Sequence, residues 1–161
     1  MDLYPWIVLG HVSLVILALG AHGVSAFSLF RARSETDRTR LAAILDLSSM
    51  SLTSAGIGLL IALVLGIIAA VMGNHFSRLW PWAAIVVTVI VIGAMTPMAA
   101  APMNRVREAL GLRPAKKGEA PTVGTDQELA AAQARLKPEL VAAIGIGGIV
   151  LLTWMMEMKP F

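Results

Sequence analysis

The chain is predicted to be an all-α integral membrane protein, a four-helix bundle with both termini outside, and two observations predict it. Apolar residues make up 57% of the chain and charged residues 14%, against about 45–50% and about 25% in soluble domains. Eleven of the thirteen Lys and Arg residues fall in two stretches, which follow the first and third apolar runs. Because Lys- and Arg-rich loops stay cytoplasmic, this asymmetry gives both the number of spans and their orientation.

Four apolar segments are long enough to cross a bilayer, which takes about 20 residues. The first stops at Arg31, and the third starts at Trp80. The second is longer than a bilayer needs, so we expect it to tilt or to begin in the cytoplasmic headgroup layer. Pro97 and Pro102 should kink the third, since each removes a helix hydrogen bond. The predicted spans cover residues 5–30, 41–72, 80–103 and 139–157.

Aromatic residues give an independent indication of the same topology. All four tryptophans and the single tyrosine fall at the predicted outer ends of the spans: Tyr4, Trp6, Trp80, Trp82 and Trp154. Amphipathic rings prefer the interface between lipid and water, so these residues predict an aromatic belt on the outer side.

The only extended polar segment is the predicted cytoplasmic loop, residues 104–137. Its middle is rich in Pro, Lys, Gly and Thr and is typical of irregular chain. Thr125 and Glu128 have the spacing of a capping box, in which the first residue caps a helix and the fourth bonds back to it. The loop therefore predicts a short surface helix over residues 126–137.

Small residues in the second and fourth spans indicate close helix packing. Gly56 and Gly58 lie about 200° apart around a helix, as do Gly145 and Gly147, so one member of each pair should face away from the bundle. We expect Gly58 and Gly147 to be the positions where leucine would weaken assembly with another protein. The predicted helix-packing set is Gly56, Gly58, Gly145, Gly147 and Gly148.

A few polar residues lie at predicted membrane depth. His11 and His22 are eleven residues apart in the first span and share one face, about 16 Å apart along the axis. In the second span Asp46, Ser49 and Thr53 share a face. An ionisable group in a bilayer usually faces a partner or a water-filled cavity. We therefore expect an intramembrane polar cluster of His22, Asp46, Ser49 and Thr53, with a contact between His22 and Asp46.

Three interpretations of the histidines remain open. Each histidine can bond a neighbouring group and fix helix register. One or both can ligate a haem, with haem b the candidate cofactor, since imidazole is a common axial ligand and bundles build cofactor sites from inward side chains. The third is proton relay or copper handling, because thioethers suit Cu(I) and several methionines cluster near the span ends. These are Met95, Met98 and Met103 at the inner end, and Met72, Met155, Met156 and Met158 near His75 at the outer end.

The first 110 residues resemble a known group of proteins. His11, the segment Gly20-Ala21-His22-Gly23, the following arginines and the segment Leu45-Asp46-Leu47-Ser48 look like bacterial four-span membrane proteins grouped with copper-resistance-D-like proteins. A first-span histidine followed by arginines is also distantly similar to membrane-bound protoporphyrinogen oxidase. That resemblance implies a bound haem with His11 or His22 as ligand. The Trp-Xaa-Gly segment expected after the histidine of that enzyme is not in this chain.

These observations favour a small non-catalytic accessory or scaffold subunit of a larger redox or energy-transducing membrane complex. The chain shows no nucleotide-binding loop, catalytic triad pattern or metalloprotease motif, so catalysis is not favoured. The expected partners are membrane lipids and other subunits or further copies of the chain. Nucleic acid is not expected, since the basic residues are segregated to two loops. The expected location is the bacterial inner membrane. The alternative is a small haem- or copper-binding membrane protein that uses the histidines of the first span.

Overall fold

The computed structural model describes residues 2–115 and 118–160. Lys116 and Lys117, two of the basic residues of the polar loop, lie outside the described residues. In that part of the chain the regular structure is helical throughout. Four helical stretches are long and apolar enough to cross a membrane, so the predicted all-α four-helix architecture is confirmed. The helices are α1 (Tyr4–Ser34), α2 (Arg38–Met72), α3 (Trp80–Met95), α4 (Ala101–Ala109), α5 (Asp126–Ala134) and α6 (Pro138–Met158).

The helices of the four spans pack side by side in the order α2, α1, α6, α3, and at one end they close around a shared core. Helix α1 packs against α2 along much of its length, and α6 packs between α1 and α3. At one end the Tyr4 hydroxyl lies 3.3 Å from Nε2 of His75, in the link between α2 and α3. At the other end Arg33 of α1 donates to Glu139 of α6 at 2.7 Å. The start of α1, the α2–α3 link and the end of α6 therefore share one end of the molecule.

Several aromatic rings lie close together at the end of the molecule that holds the start of α1 and the α2–α3 link. The rings of His75 and Trp80 lie 5.6 Å apart, and those of Phe76 and Trp82 lie 4.9 Å apart. The indole of Trp82 also donates to the carbonyl oxygen of Phe76 at 3.3 Å. Three residues of the expected aromatic belt, Tyr4, Trp80 and Trp82, therefore lie near one another at this end.

The core lies at the opposite end, where the polar loop folds back. Two hydrogen bonds fix α5 across the end of α1, because the Gln133 amide donates to the carbonyl oxygens of Ala32 and Glu35 at 2.7 and 2.8 Å. The Arg38 guanidinium holds the loop by donating to the Gly124 carbonyl oxygen at 2.9 Å. The buried cluster beneath comprises Leu29, Ala32, Leu41, Leu45, Ala99, Met103, Val106, Leu129, Ala132, Leu136 and Val141.

Two local features refine the predicted boundaries. A π-helical segment, Thr96–Ala100, separates α3 from α4 near Pro97 and Pro102, where a helix loses backbone hydrogen bonds. Helical structure then continues to Ala109, beyond the predicted end of the third span. The capping box of Thr125 and Glu128 is confirmed. Helix α5 ends at Ala134 rather than at residue 137, because α6 begins at Pro138 and proline disfavours helical conformation in the residue before it.

Candidate functional site

His22 packs into a gap that glycine leaves in α6. Its Nε2 atom is buried, and no hydrogen-bond partner for it lies in the described part of the chain. The ring lies directly against Gly145, so that a Cβ atom built at Gly145 would meet Cδ2 of His22 at 2.9 Å. Gly145 is itself buried. The absence of a side chain at residue 145 therefore lets α1 and α6 approach with an imidazole between them.

His11 is held by α2 through a defined hydrogen bond. Its Nδ1 atom lies 2.7 Å from the carbonyl oxygen of Ala62, and a carbonyl oxygen only accepts, so Nδ1 carries the proton. In the neutral ring the lone pair is then on Nε2. The ring lies on Gly66, where a Cβ atom would come within 2.8 Å of Cε1 of His11. This arrangement fixes both the tautomer and the orientation of the imidazole.

The two histidines thus have different helices as neighbours, although they share one face of α1. The predicted contact between His22 and Asp46 is wrong. Asp46 is exposed on α2, whereas His22 lies against α6. The reason is the direction of side chains on α2: Leu45 is completely buried in the core, and the next side chain points about 100° away from it.

The expected cluster of His22, Asp46, Ser49 and Thr53 is therefore not formed. Ser49 and Thr53 are exposed on α2 together with Asp46. The Thr53 hydroxyl donates to the carbonyl oxygen of Ser49 at 2.9 Å, so it is satisfied within its own helix. A polar face exists, but the chain turns it outward instead of enclosing it.

Asp46 lies at the level of the polar loop. Leu41 and Leu45, the buried residues just before it, belong to the same cluster as residues of α5. From Asp46 to the end of α2 the helix rises about 39 Å, which exceeds the about 30 Å of a hydrocarbon core. If the end of α2 lies at the opposite surface of the bilayer, we therefore expect the Asp46 carboxylate at the headgroup layer, where water can solvate it.

Arg107 is a neighbour of this carboxylate that the hydropathy pattern of the sequence did not indicate. Its guanidinium donates to the carbonyl oxygen of Leu45 at 2.6 Å and lies within electrostatic range of Asp46. The second and third spans are thus joined at this end by a charge-assisted bond. A basic residue within one turn of an apolar span is the signal that could have indicated it.

A buried hydroxyl pair was also missed. Ser25 of α1 and Ser48 of α2 are 97% and 100% buried, and their hydroxyl oxygens lie 2.9 Å apart. Ser48 in turn donates to the Met103 sulfur at 3.7 Å, so Ser25 donates to Ser48. The chain of bonds joins α1, α2 and α4 inside the core. Serines facing one another from two apolar runs are the sequence signal for it.

The predicted helix-packing glycines divide into two groups. A Cβ atom at Gly148 would lie 2.8 Å from Val91 of α3, and one at Gly58 would lie 3.7 Å from the Cβ atom of Ala18. With Gly145, these glycines face neighbouring helices. Nothing lies within 4 Å of a Cβ atom at Gly56 or Gly147. The outward member of the α2 pair is therefore Gly56, and the expectation that Gly58 faces away is wrong.

The described residues hold no group of three or more His, Asp or Glu side chains placed to bind a metal ion. Met103 and Met155 are almost completely buried, and the Met103 sulfur accepts the hydrogen bond from Ser48. Met72 and Met158 are exposed at the end of the molecule that holds the start of α1 and the end of α6.

Compared with known proteins, the chain matches no family model, no curated protein and no solved structure.

Proposed function

We propose that the chain is a small accessory or scaffold subunit of a larger assembly in the bacterial inner membrane. The observation that carries this proposal is the presence of outward glycines on every long helix. At each of them a Cβ atom would meet nothing within 4 Å: Gly20 and Gly23 of α1, Gly56 of α2, Gly93 of α3 and Gly147 of α6. Small outward residues let a further helix approach closely, which is how membrane helices gain packing without a hydrophobic drive.

The side-by-side packing of the four spans supports the same proposal. Even α1, which has neighbours on both sides, keeps large apolar side chains such as Leu17 and Phe27 about two-thirds exposed, at 68% each. Much of the apolar surface of these helices is exposed, and little of the chain lies outside the predicted spans. The main feature that the chain offers to other proteins is therefore helix surface for packing. We extend the proposal to a redox or energy-transducing assembly on the basis of the sequence pattern in the first 110 residues that resembles copper-resistance-D-like proteins.

The glycine pair of α6 supplies the test. Gly147→Leu should leave the bundle folded and lower the yield of co-purifying subunits, because the new side chain enters open space where a partner helix would pack. Gly145→Leu, the matched variant two residues away, should unfold the bundle, because His22 occupies that space. The proposal fails if Gly147→Leu retains every partner of the parent chain, measured by quantitative mass spectrometry after mild solubilisation. Visible spectra of the co-purified subunits would identify a redox assembly.

A second candidate function is supported by the geometry of His11. A histidine that binds a metal almost always donates its other ring nitrogen to a carboxylate, carbonyl or water, which fixes the tautomer and raises ligand basicity. The bond from Nδ1 to the Ala62 carbonyl oxygen is of this kind, and the lone pair is on Nε2. His11 therefore fits an axial ligand of haem b or a copper ligand. The Nε2 atom of His22 does not fit this role, because it abuts Gly145.

The visible absorbance of the purified protein tests this second function. If the chain binds haem through His11, a Soret band should be present, lost in His11→Ala and retained in His22→Ala. Equal loss in both variants, or a band unchanged in His11→Ala, would refute the assignment. Copper content measured on the same three proteins should follow the same order if the ligand holds copper.

A further inference from the structure

Helix α2 has an exposed polar face that indicates what kind of partner the chain binds. Four residues define it, and we call it the α2 stripe: Asp46, Ser49, Thr53 and Gly56. Counted at 100° per residue, they lie within an arc of about 80°. All four are exposed, and no residue comes within 4 Å of a Cβ atom at Gly56. The stripe is therefore one continuous surface of the helix that nothing in the described chain covers.

Two side chains of the α2 stripe have polar groups that make no hydrogen bond within the described residues. Within the described residues, no hydrogen bond involves the Asp46 carboxylate or the Ser49 hydroxyl, whereas Thr53 bonds to its own helix. Arg107 is within electrostatic range of Asp46, but it directs its hydrogen bond to the carbonyl oxygen of Leu45. An acceptor of full negative charge thus remains open, followed by a hydroxyl one turn deeper.

The stripe runs from the headgroup layer into the hydrocarbon. Gly56 lies ten residues beyond Asp46, which is about 15 Å along the helix axis. A lipid headgroup could meet Asp46, but the acyl chain beside Ser49 offers no hydrogen-bonding group. A membrane-spanning helix can offer polar groups at both levels, and Gly56 is where it could approach most closely.

The charge of Asp46 decides between a second copy of the chain and a different helix. Two copies joined through this face are related by a two-fold axis along the membrane normal, which places like residues opposite one another. Asp46 would then oppose Asp46, and like charges at an interface disfavour it. A different helix can supply a cation instead, because Lys and Arg are enriched at the cytoplasmic ends of spans.

We propose that the α2 stripe docks a transmembrane helix of another subunit, with a Lys or Arg at its cytoplasmic end paired to Asp46 and its closest approach at Gly56. This inference rests on the proposed function, since it names the contact through which the subunit joins its assembly.

Cross-linking in the native membrane tests the docking, and the absence of cysteine from the chain makes single-cysteine labels specific. A photoreactive label is placed on the stripe in Ser49→Cys and Thr53→Cys. Matched labels are placed off the stripe in Leu47→Cys of α2 and Val89→Cys of α3, whose native side chains are 52% and 59% exposed. Adducts are identified by peptide mass spectrometry.

The stripe labels should give adducts with one other polypeptide, at a peptide that combines an apolar span with a flanking Lys or Arg. The off-stripe labels should not react with that peptide. Asp46→Arg should lower the adduct yield about tenfold, equivalent to about 1.4 kcal/mol. Leu47→Arg, which places an arginine at the neighbouring position, should leave the yield unchanged.

Other outcomes overturn the inference. Adducts between two copies of the chain would identify a self-association surface, and adducts with lipid alone would identify a lipid-facing surface. If stripe labels react only with lipid while the chain still co-purifies with its partners, the docking inference fails and the proposed function stands. If the chain is monomeric in its own membrane, both fail.

Discussion

At the scale of single residues, the histidines are placed by glycines on the facing helices. His11 lies against Gly66 of α2, and His22 lies against Gly145 of α6. Hydropathy alone located both histidines inside a span, because that signal is local. It did not pair them with these glycines, because the register between helices depends on packing across the whole interface. The pairing of His22 with Asp46 was wrong for the same reason.

Gly145→Ala should destabilise the bundle. The added methyl group must displace the His22 ring, and overpacking a well-packed site costs about 1–3 kcal/mol. Unfolding by increasing mole fraction of SDS, followed by tryptophan fluorescence, measures the free-energy change. Gly147→Ala is the control, since its methyl group enters open space, and its midpoint should not fall below that of the parent, because alanine favours a helix more than glycine does. Equal midpoints for all three proteins would contradict the packing described for His22.

The hydroxyl pair of Ser25 and Ser48 should contribute modestly to stability. Hydrogen bonds between membrane helices average about 0.6 kcal/mol in double-mutant cycles. Ser25→Ala, Ser48→Ala and the double variant, unfolded in SDS as above, give the coupling energy directly. A coupling energy of zero would mean that the 2.9 Å contact makes no net contribution.

At the scale of elements, the ends of the helices were predictable where a local motif sets them. The capping box that starts α5 needs only residues 125–128, and the structure has both of its bonds: the Glu128 amide donates to Thr125 Oγ1 at 3.2 Å, and the Thr125 amide donates to the Glu128 carboxylate at 2.7 Å. The orientation of the polar face of α2 relative to the core was not predictable, because it depends on which residues of α4 and α5 fill the core.

The capping box gives α5 a dependence on pH. The backbone amide and then the hydroxyl of Thr125, both bonded to the carboxylate, hold the pKa of Glu128 below its usual value. A lowered carboxyl pKa adds stability that is fully present above the usual value near 4.5 and is lost as the pH falls through the lowered one. Acidification below that range should therefore loosen α5 before it affects α6.

Hydrogen exchange of the α5 amides, normalised to the intrinsic rate at each pH, measures this effect. Thr125→Ala should raise the exchange rate at neutral pH, since losing an N-cap costs about 1 kcal/mol. Glu128→Gln should lose most of the pH dependence. Protection of α5 that is independent of pH in the parent chain would contradict the prediction.

At the scale of the whole molecule, segregated charge and apolar length predicted the architecture, because a bilayer constrains both. The structure places the start of α1, the α2–α3 link and the end of α6 together, as an even number of spans requires. The sidedness of that end stays a prediction from the basic loops. A reporter enzyme active only in the periplasm should be active at either terminus and inactive in the link between α1 and α2. The reverse pattern would contradict the predicted orientation.

We propose that this chain works as one subunit among others, because its outward glycines and the α2 stripe offer exposed surface to a partner. The most direct test is the mass of the protein particle that carries the chain, measured after detergent-free extraction from its own membrane into polymer-bounded lipid discs. We expect a particle heavier than one chain, with a different polypeptide in fixed stoichiometry. In the Gly56→Leu, Gly147→Leu double variant, the mass of protein in the particle should fall to that of one chain. A particle of one chain, or of copies of this chain alone, would contradict it.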